Sequence, residues 1–95
     1  MIRVEIFINF GLESELLDAF KEANVAAHYS RVGNVLGCGC SEPKMGDSIW
    51  PQVNSQLIIY CSEEEAKKIK AIVEEVRENY PSDGVSIFFS SALEL

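Results

Sequence analysis

Hydrophobic and polar residues alternate at the start of the chain. Apolar residues occupy every second position from Ile2 to Phe10, and positions that include Arg3 and Glu5 separate them. A period of two predicts a half-buried β-strand with one apolar face. Gly11 marks its end.

The next stretch, residues 11–24, has the three-to-four-residue spacing of an amphipathic helix. Glu13 and Glu15 suit its first turn, where the helix dipole favours negative charge, and Asn24 suits its end. The apolar positions are Leu12, Leu16, Leu17, Phe20 and Ala23.

A second helix is predicted over residues 62–80, followed by Pro81. Ser62 and Glu65 lie three positions apart, which is the spacing of a capping box at a helix start. One apolar stripe contains Ile69, Ile72, Val73, Val76 and Tyr80.

Three further strands are predicted, over residues 26–40, over residues 52–61 and from Val85 into a short tail. Residues 41–51 form a polar loop by composition. The order βαββαβ indicates an α+β, ferredoxin-like domain over residues 1–95, with two helices on one face of a four-stranded antiparallel sheet. Apolar residues on both sides of the strands predict an open apolar sheet face, which a partner copy would cover.

Composition narrows the classes of function. The net charge of −7 disfavours nucleic-acid binding, which needs clustered basic residues. No apolar run approaches the roughly 20 residues of a membrane span, so membrane insertion is not expected. Three cysteines without an export signal indicate a cytoplasmic protein with reduced thiols.

Three stretches resemble the PII-type signalling proteins. V-L-G-C-G-C at residues 35–40 resembles V-x-G-x-G, which leads into the T-loop of PII. Residues 50–76 resemble its third strand and second helix, and residues 80–89 resemble its G-D-G turn and fourth strand. The resemblance covers nearly the whole chain.

The resemblance implies a homotrimer that binds a small ligand, a nucleotide or another anion, in clefts between subunits. Gly37 and Gly39 match the T-loop base, and Asp83 and Gly84 match the turn that closes over nucleotide phosphates. Residues 40–50 would be a shortened T-loop that contacts a target protein of unknown identity.

The chain also departs from the PII pattern. Ser41 stands where PII has a glutamine that contacts nucleotide, and Val85 and Ser86 follow D-G in place of a lysine. Lys44 and Arg31 remain near the loop as basic partners for an anion. The resemblance therefore implies a divergent branch, whose ligand is an adenine nucleotide or another anion.

Trp50 at the return of the loop has two interpretations. Its ring could stack on an aromatic ligand such as adenine, or it could anchor the loop on a neighbouring subunit. No nucleophile elbow, Walker loop or H-E-x-x-H motif is present, so we expect a protein that is not an enzyme.

The cysteines leave an alternative open. Cys38 and Cys40 would point to the same side of an extended strand, and with Cys61 or His28 they could bind Zn²⁺ or Cu⁺. Such a protein would be a metal-binding trimer of the CutA type. Packing of small side chains under the loop is the plain alternative. A third possibility is an adaptor trimer without a ligand.

Overall fold

The computed structural model describes residues 1–38 and 53–95. The elements are β1 (Ile2–Asn9), α1 (Phe10–Glu22), β2 (Ser30–Val35), β3 (Asn54–Cys61), α2 (Glu63–Asn79) and β4 (Val85–Ser91). The strands form one antiparallel sheet in the order β2-β3-β1-β4. This confirms the predicted βαββαβ order and the ferredoxin-like sheet.

The hydrophobic core lies between the helices and one face of the sheet. Ile6 on the central strand β1 is fully buried and pairs with Leu57 of β3 and Ile87 of β4. The helices contribute Leu16 and Ile69, which are also fully buried. The alternation in β1 and the helical spacings therefore predicted most of the core-facing residues, whereas Ala23, predicted on the apolar face of α1, is exposed.

Helix α1 begins and ends with backbone groups that local residues satisfy. Asn9 is the N-cap, and its side-chain oxygen accepts a hydrogen bond from the backbone N–H of Gly11 at 3.0 Å. At the other end Asn24 adopts a left-handed conformation, with φ of 57°. Its N–H donates to Lys21 and that of Val25 donates to Phe20, which together make a Schellman motif.

Two predicted boundaries were wrong. Phe10 is the first residue of α1 and is exposed, because Asn9 already caps the helix there. Strand β2 is Ser30–Val35, so residues 26–29 and 36–38 of the predicted strand 26–40 are not part of it. Ala26 has a φ of 53°, which strand pairing does not allow, and an irregularity between Val32 and Val35 interrupts the pairing with β3.

Helix α2 has only half of the predicted capping box. The Ser62 hydroxyl accepts from the backbone N–H of Glu65 at 3.1 Å. The Glu65 carboxylate accepts instead from the backbone N–H of Ala26 at 3.0 Å. This contact ties the segment before β2, with its left-handed Ala26, to the start of α2.

Replacing Glu65 by alanine is expected to lower the free energy of unfolding by about 1–2 kcal/mol, because a charge-assisted hydrogen bond to a buried segment is lost. Urea unfolding would measure this loss. The neighbouring Glu64 is exposed, so Glu64→Ala is the matched control and should change stability by less than about 0.5 kcal/mol. Equal effects of the two variants would contradict the assigned role of Glu65.

The sheet face opposite the helices is uncovered in the single chain. We call it the open sheet face, and its outward residues on β1, β3 and β4 are Arg3, Glu5, Phe7, Gln56, Ile58, Tyr60, Ser86, Phe88 and Ser90. Tyr60 is 55% exposed and Phe88 is 57% exposed. The predicted apolar surface on the second face of the sheet is therefore present. Within residues 1–38 and 53–95, neither helix has the length and apolar character needed to cross a membrane.

Candidate functional site

A cavity of about 460 Å³ lies where β1 ends and α1 begins. We call it the α1 cavity. It is lined by Asn9, Phe10, Gly11, Leu12, Val53, Tyr80 and Asp83. Three parts of the chain therefore meet here: the first turn of α1, Val53 directly before β3, and the turn before β4. The N–H groups of Phe10 and Gly11 donate to the Val53 carbonyl and the Asn9 side chain, while the positive potential of the helix start still favours an anion.

The turn before β4 is attached to the start of α1. The backbone N–H of Asn9 donates to the carbonyl of Gly84 at 3.3 Å, and the Asn9 side-chain nitrogen donates to the Asp83 carboxylate at 3.4 Å. Arg77 donates to the carbonyl of Val85 at 3.2 Å. The predicted pair Asp83 and Gly84 thus meets the N-cap of α1. Only Asp83 of the two lines the α1 cavity.

Tyr80 forms another wall of the α1 cavity. Its hydroxyl donates to the Glu15 carboxylate at 2.8 Å. This hydrogen bond raises the pKa of Tyr80 above its ordinary value. The bond supports folding below the unfolded pKa near 10 and is lost as pH rises through the higher folded pKa.

Next to the α1 cavity, Arg31 of β2 is already engaged by other groups. Its guanidinium donates to Glu13, which is only 6% exposed, and to the hydroxyl of the fully buried Ser55 at 3.3 Å. The guanidinium also lies over the ring of Phe10, 5.6 Å from its centroid. Hydrogen bonding to Glu13 raises the pKa of Arg31. The residue expected to attract an anion is therefore neutralised by its own chain.

The glycine predicted at the loop base does not line the α1 cavity. Gly37 makes a single bridge contact after β2, and a Cβ at this position would meet no atom within 4 Å. No steric constraint within the described chain requires glycine there. Gly39, Ser41, Lys44, Trp50 and Cys40 belong to residues 39–52, which lie outside the described part of the chain.

The described cysteines and the histidine do not form a metal centre. Cys38 is exposed and Cys61 is partly buried, and burial raises the pKa of the Cys61 thiol. A metal ligand needs the thiolate, which that burial disfavours. His28 is exposed. Among residues 1–38 and 53–95, no three His, Cys, Asp or Glu side chains converge in a way that could hold a metal ion.

Sequence reasoning missed the role of Asn9 and the burial of Glu13. Asn9 stands directly before the helical spacing, which is the ordinary position of an N-cap and could have been recognised. Glu13 lies three and seven positions before Leu16 and Phe20, so it shares their buried face. The sequence therefore shows that Glu13 shares this face. It does not show that Glu13 pairs with Arg31, which lies 18 residues away.

No protein-family model matches the chain, and no curated protein does. Solved structures do match. The chain is similar to CPII, a nitrogen regulatory PII-like protein from Thiomonas intermedia K12, bound to ADP, AMP and bicarbonate. The TM-score is 0.72 at 17% identity, covering 94% of this chain and 86% of that one. The chain has the PII-like fold. This confirms the fold that the sequence resemblance implies.

Two further structures agree with this PII-like fold. CPII bound to ADP and bicarbonate matches with a TM-score of 0.70 and 19% identity, covering 94% of this chain and 82% of that one. A putative PII-like signaling protein from Thermus thermophilus matches with a TM-score of 0.66 and 22% identity, covering 94% and 83%.

Proposed function

We propose that this chain is a regulatory protein of the PII-like type that binds a small anion or an adenine nucleotide and is not an enzyme. The observation that carries the proposal is the α1 cavity, which joins a helix start, the turn of Asp83 and the entrance to β3. The PII-like protein CPII, which has the same fold, is bound to ADP, AMP and bicarbonate. We extend that class of ligand to this chain.

The α1 cavity offers an anion a helix N-terminus rather than an available basic side chain. Arg31 is held by Glu13, and the carboxylate of Asp83 on the cavity wall would repel a phosphate. The backbone N–H groups of Phe10 and Gly11 already donate to the Val53 carbonyl and the Asn9 side chain, so what α1 offers an anion is mainly the positive potential of its N-terminus. Such a site suits a ligand of low charge, such as bicarbonate or a nucleoside mono- or diphosphate, better than a triphosphate.

We propose that the chain forms a homotrimer through the open sheet face. The chain has a net charge of −7, so most of its surface repels a second copy. On the described strands of the open sheet face the charged residues are Arg3 and Glu5, which pair with each other at 3.2 Å. This face can therefore meet its own copy without charge repulsion, and covering Tyr60 and Phe88 would favour the contact.

The site residues in the part of the chain outside the structure belong to the same proposal. Ser41, Lys44 and Trp50 would face the ligand from the 40–50 loop and Gly39 from its base, together with Gly37, Asp83 and Gly84. The same loop would contact the target protein. A ligand changes such a contact only through different affinities for the two states of the protein. We place this protein in the cytoplasm.

Thermal unfolding with separate additions of ADP, AMP, ATP, bicarbonate and Zn²⁺ tests the proposal. We expect stabilisation by a nucleotide or bicarbonate, because ligand that binds only the folded state raises the melting temperature. The stabilisation should persist when Cys38→Ser and Cys40→Ser are combined. Stabilisation by Zn²⁺ alone, lost in that double variant, would instead favour the metal-binding alternative. If none of these additions changes the melting temperature, ligand binding is contradicted. The remaining possibility is then an adaptor trimer without a ligand.

A further inference from the structure

A polar network crosses the middle of the open sheet face. The Arg3 guanidinium donates to Glu5 at 3.2 Å, and the Gln56 side-chain amide donates to the same carboxylate oxygen at 2.8 Å. Tyr60 and Glu5 hydrogen-bond with Arg3 and raise its pKa. Ile58 and Phe88 flank Glu5 on the neighbouring strands. We call Arg3, Glu5, Gln56 and Tyr60 the sheet-face network.

The network has consequences for any surface that covers it. A guanidinium has five N–H donors, so burying Arg3 requires acceptors beyond those of its own chain. Apolar contacts from Phe7, Ile58 and Phe88 alone are non-directional and allow several relative orientations of two sheets. Only orientations that supply acceptors to Arg3 avoid a buried, unsatisfied charge.

We propose that the sheet-face network sets the orientation and number of copies in the self-assembly of this chain. This inference rests on the proposed self-association through the open sheet face. The apolar residues supply the attraction between copies. Orientations that leave Arg3 or Glu5 unpaired in the interface are unfavourable because they bury an uncompensated charge. Replacing a buried ion pair by well-packed apolar residues is often neutral or stabilising, so we assign the network to specificity rather than to strength.

Native mass spectrometry across a range of protein concentrations tests this inference with three proteins. The wild type should give one oligomer. Arg3→Met leaves Glu5 without its cation inside the interface, and self-association should weaken roughly a hundredfold or more. Arg3→Met combined with Glu5→Leu removes both charges. This variant should assemble as tightly as the wild type but in a mixture of stoichiometries.

The chain supplies a matched control. Lys70 and Glu74 pair at 3.9 Å on the exposed side of α2, with side chains 58% and 51% exposed. The double variant Lys70→Met with Glu74→Leu also removes one cation and one carboxylate, but away from the sheet. This variant should assemble like the wild type. Circular dichroism verifies that every variant is folded.

Three outcomes would count against the account. A double variant at Arg3 and Glu5 that keeps the single wild-type stoichiometry would overturn the specificity role. An Arg3→Met variant that assembles like the wild type would overturn burial of the network. A wild type that remains monomeric would overturn self-association through this face. That last result leaves ligand binding by the single chain to be judged by the thermal measurements.

Discussion

Replacing Arg31 by methionine is expected to lower the melting temperature by about 10 °C or more. The substitution keeps most of the side-chain volume but leaves Glu13, which is 6% exposed, without its cation. The fully buried Ser55 also loses a donor. An uncompensated buried carboxylate is among the costliest defects in a small domain. Thermal unfolding followed by circular dichroism measures the shift.

Two further variants separate charge from packing. Adding Glu13→Leu to Arg31→Met removes the unpaired carboxylate and should recover most of the loss, because an apolar pair can replace a buried ion pair. Lys70→Met breaks an exposed pair on α2 and should shift the melting temperature by only about 1–3 °C. A small shift for Arg31→Met, or no recovery in the double variant, would contradict the assigned role of Arg31.

Replacing Gly11 by phenylalanine should weaken ADP binding roughly tenfold to a hundredfold, since the ring would occupy the α1 cavity. Gly11 lines this cavity, and a Cβ there would lie 3.5 Å from the Asn9 side-chain oxygen, which is ordinary van der Waals contact. The residue is exposed in the first turn of α1, so the fold should tolerate the change. Isothermal titration calorimetry measures the affinity.

Gly11→Ala is the matched control for this prediction. It adds only a methyl group and should bind ADP as the wild type does, while stabilising α1 by about 0.5–1 kcal/mol. If Gly11→Phe binds ADP as tightly as Gly11→Ala does, then the nucleotide lies elsewhere on the chain. Unfolding curves of both variants distinguish a blocked cavity from a damaged fold.

The fold could be predicted from the sequence because the spacing of hydrophobic residues is regular in the elements that form the core. Every second residue of β1 from Val4 to Ile8 is buried, and the helical spacing of Leu16 and Phe20 places them under the sheet. Asn24 at the end of α1 also has the left-handed conformation that its position predicts. In these elements the local hydrophobic pattern agrees with the packing of the whole domain, so the sequence predicts them correctly.

Strand β2 was harder to predict because the conformation of the segment that leads into it depends on contacts with residues distant in sequence. Ala26 has positive φ, which an alanine rarely adopts, and its N–H is held by Glu65 39 residues later. Nothing in the residues around Ala26 indicates that contact. Asn34 is also left-handed, with a φ of 55°, at the irregularity that ends regular pairing.

The candidate site was predicted in part. The D-G turn pointed to Asp83, which does line the α1 cavity beside the start of α1. The expected basic partner Arg31 is engaged by Glu13, a pairing that depends on the packing of α1 against the edge of the sheet. A charge along the sequence shows where a cation is, but only the packed structure shows whether that cation is available to a ligand.

Native mass spectrometry of the wild-type protein, first without additions and then with ADP, tests the central claim most directly. We expect a homotrimer that takes up as many as three nucleotides, one for each copy of the α1 cavity. A monomer that binds no nucleotide at any ADP concentration would contradict both the assembly and the proposed function.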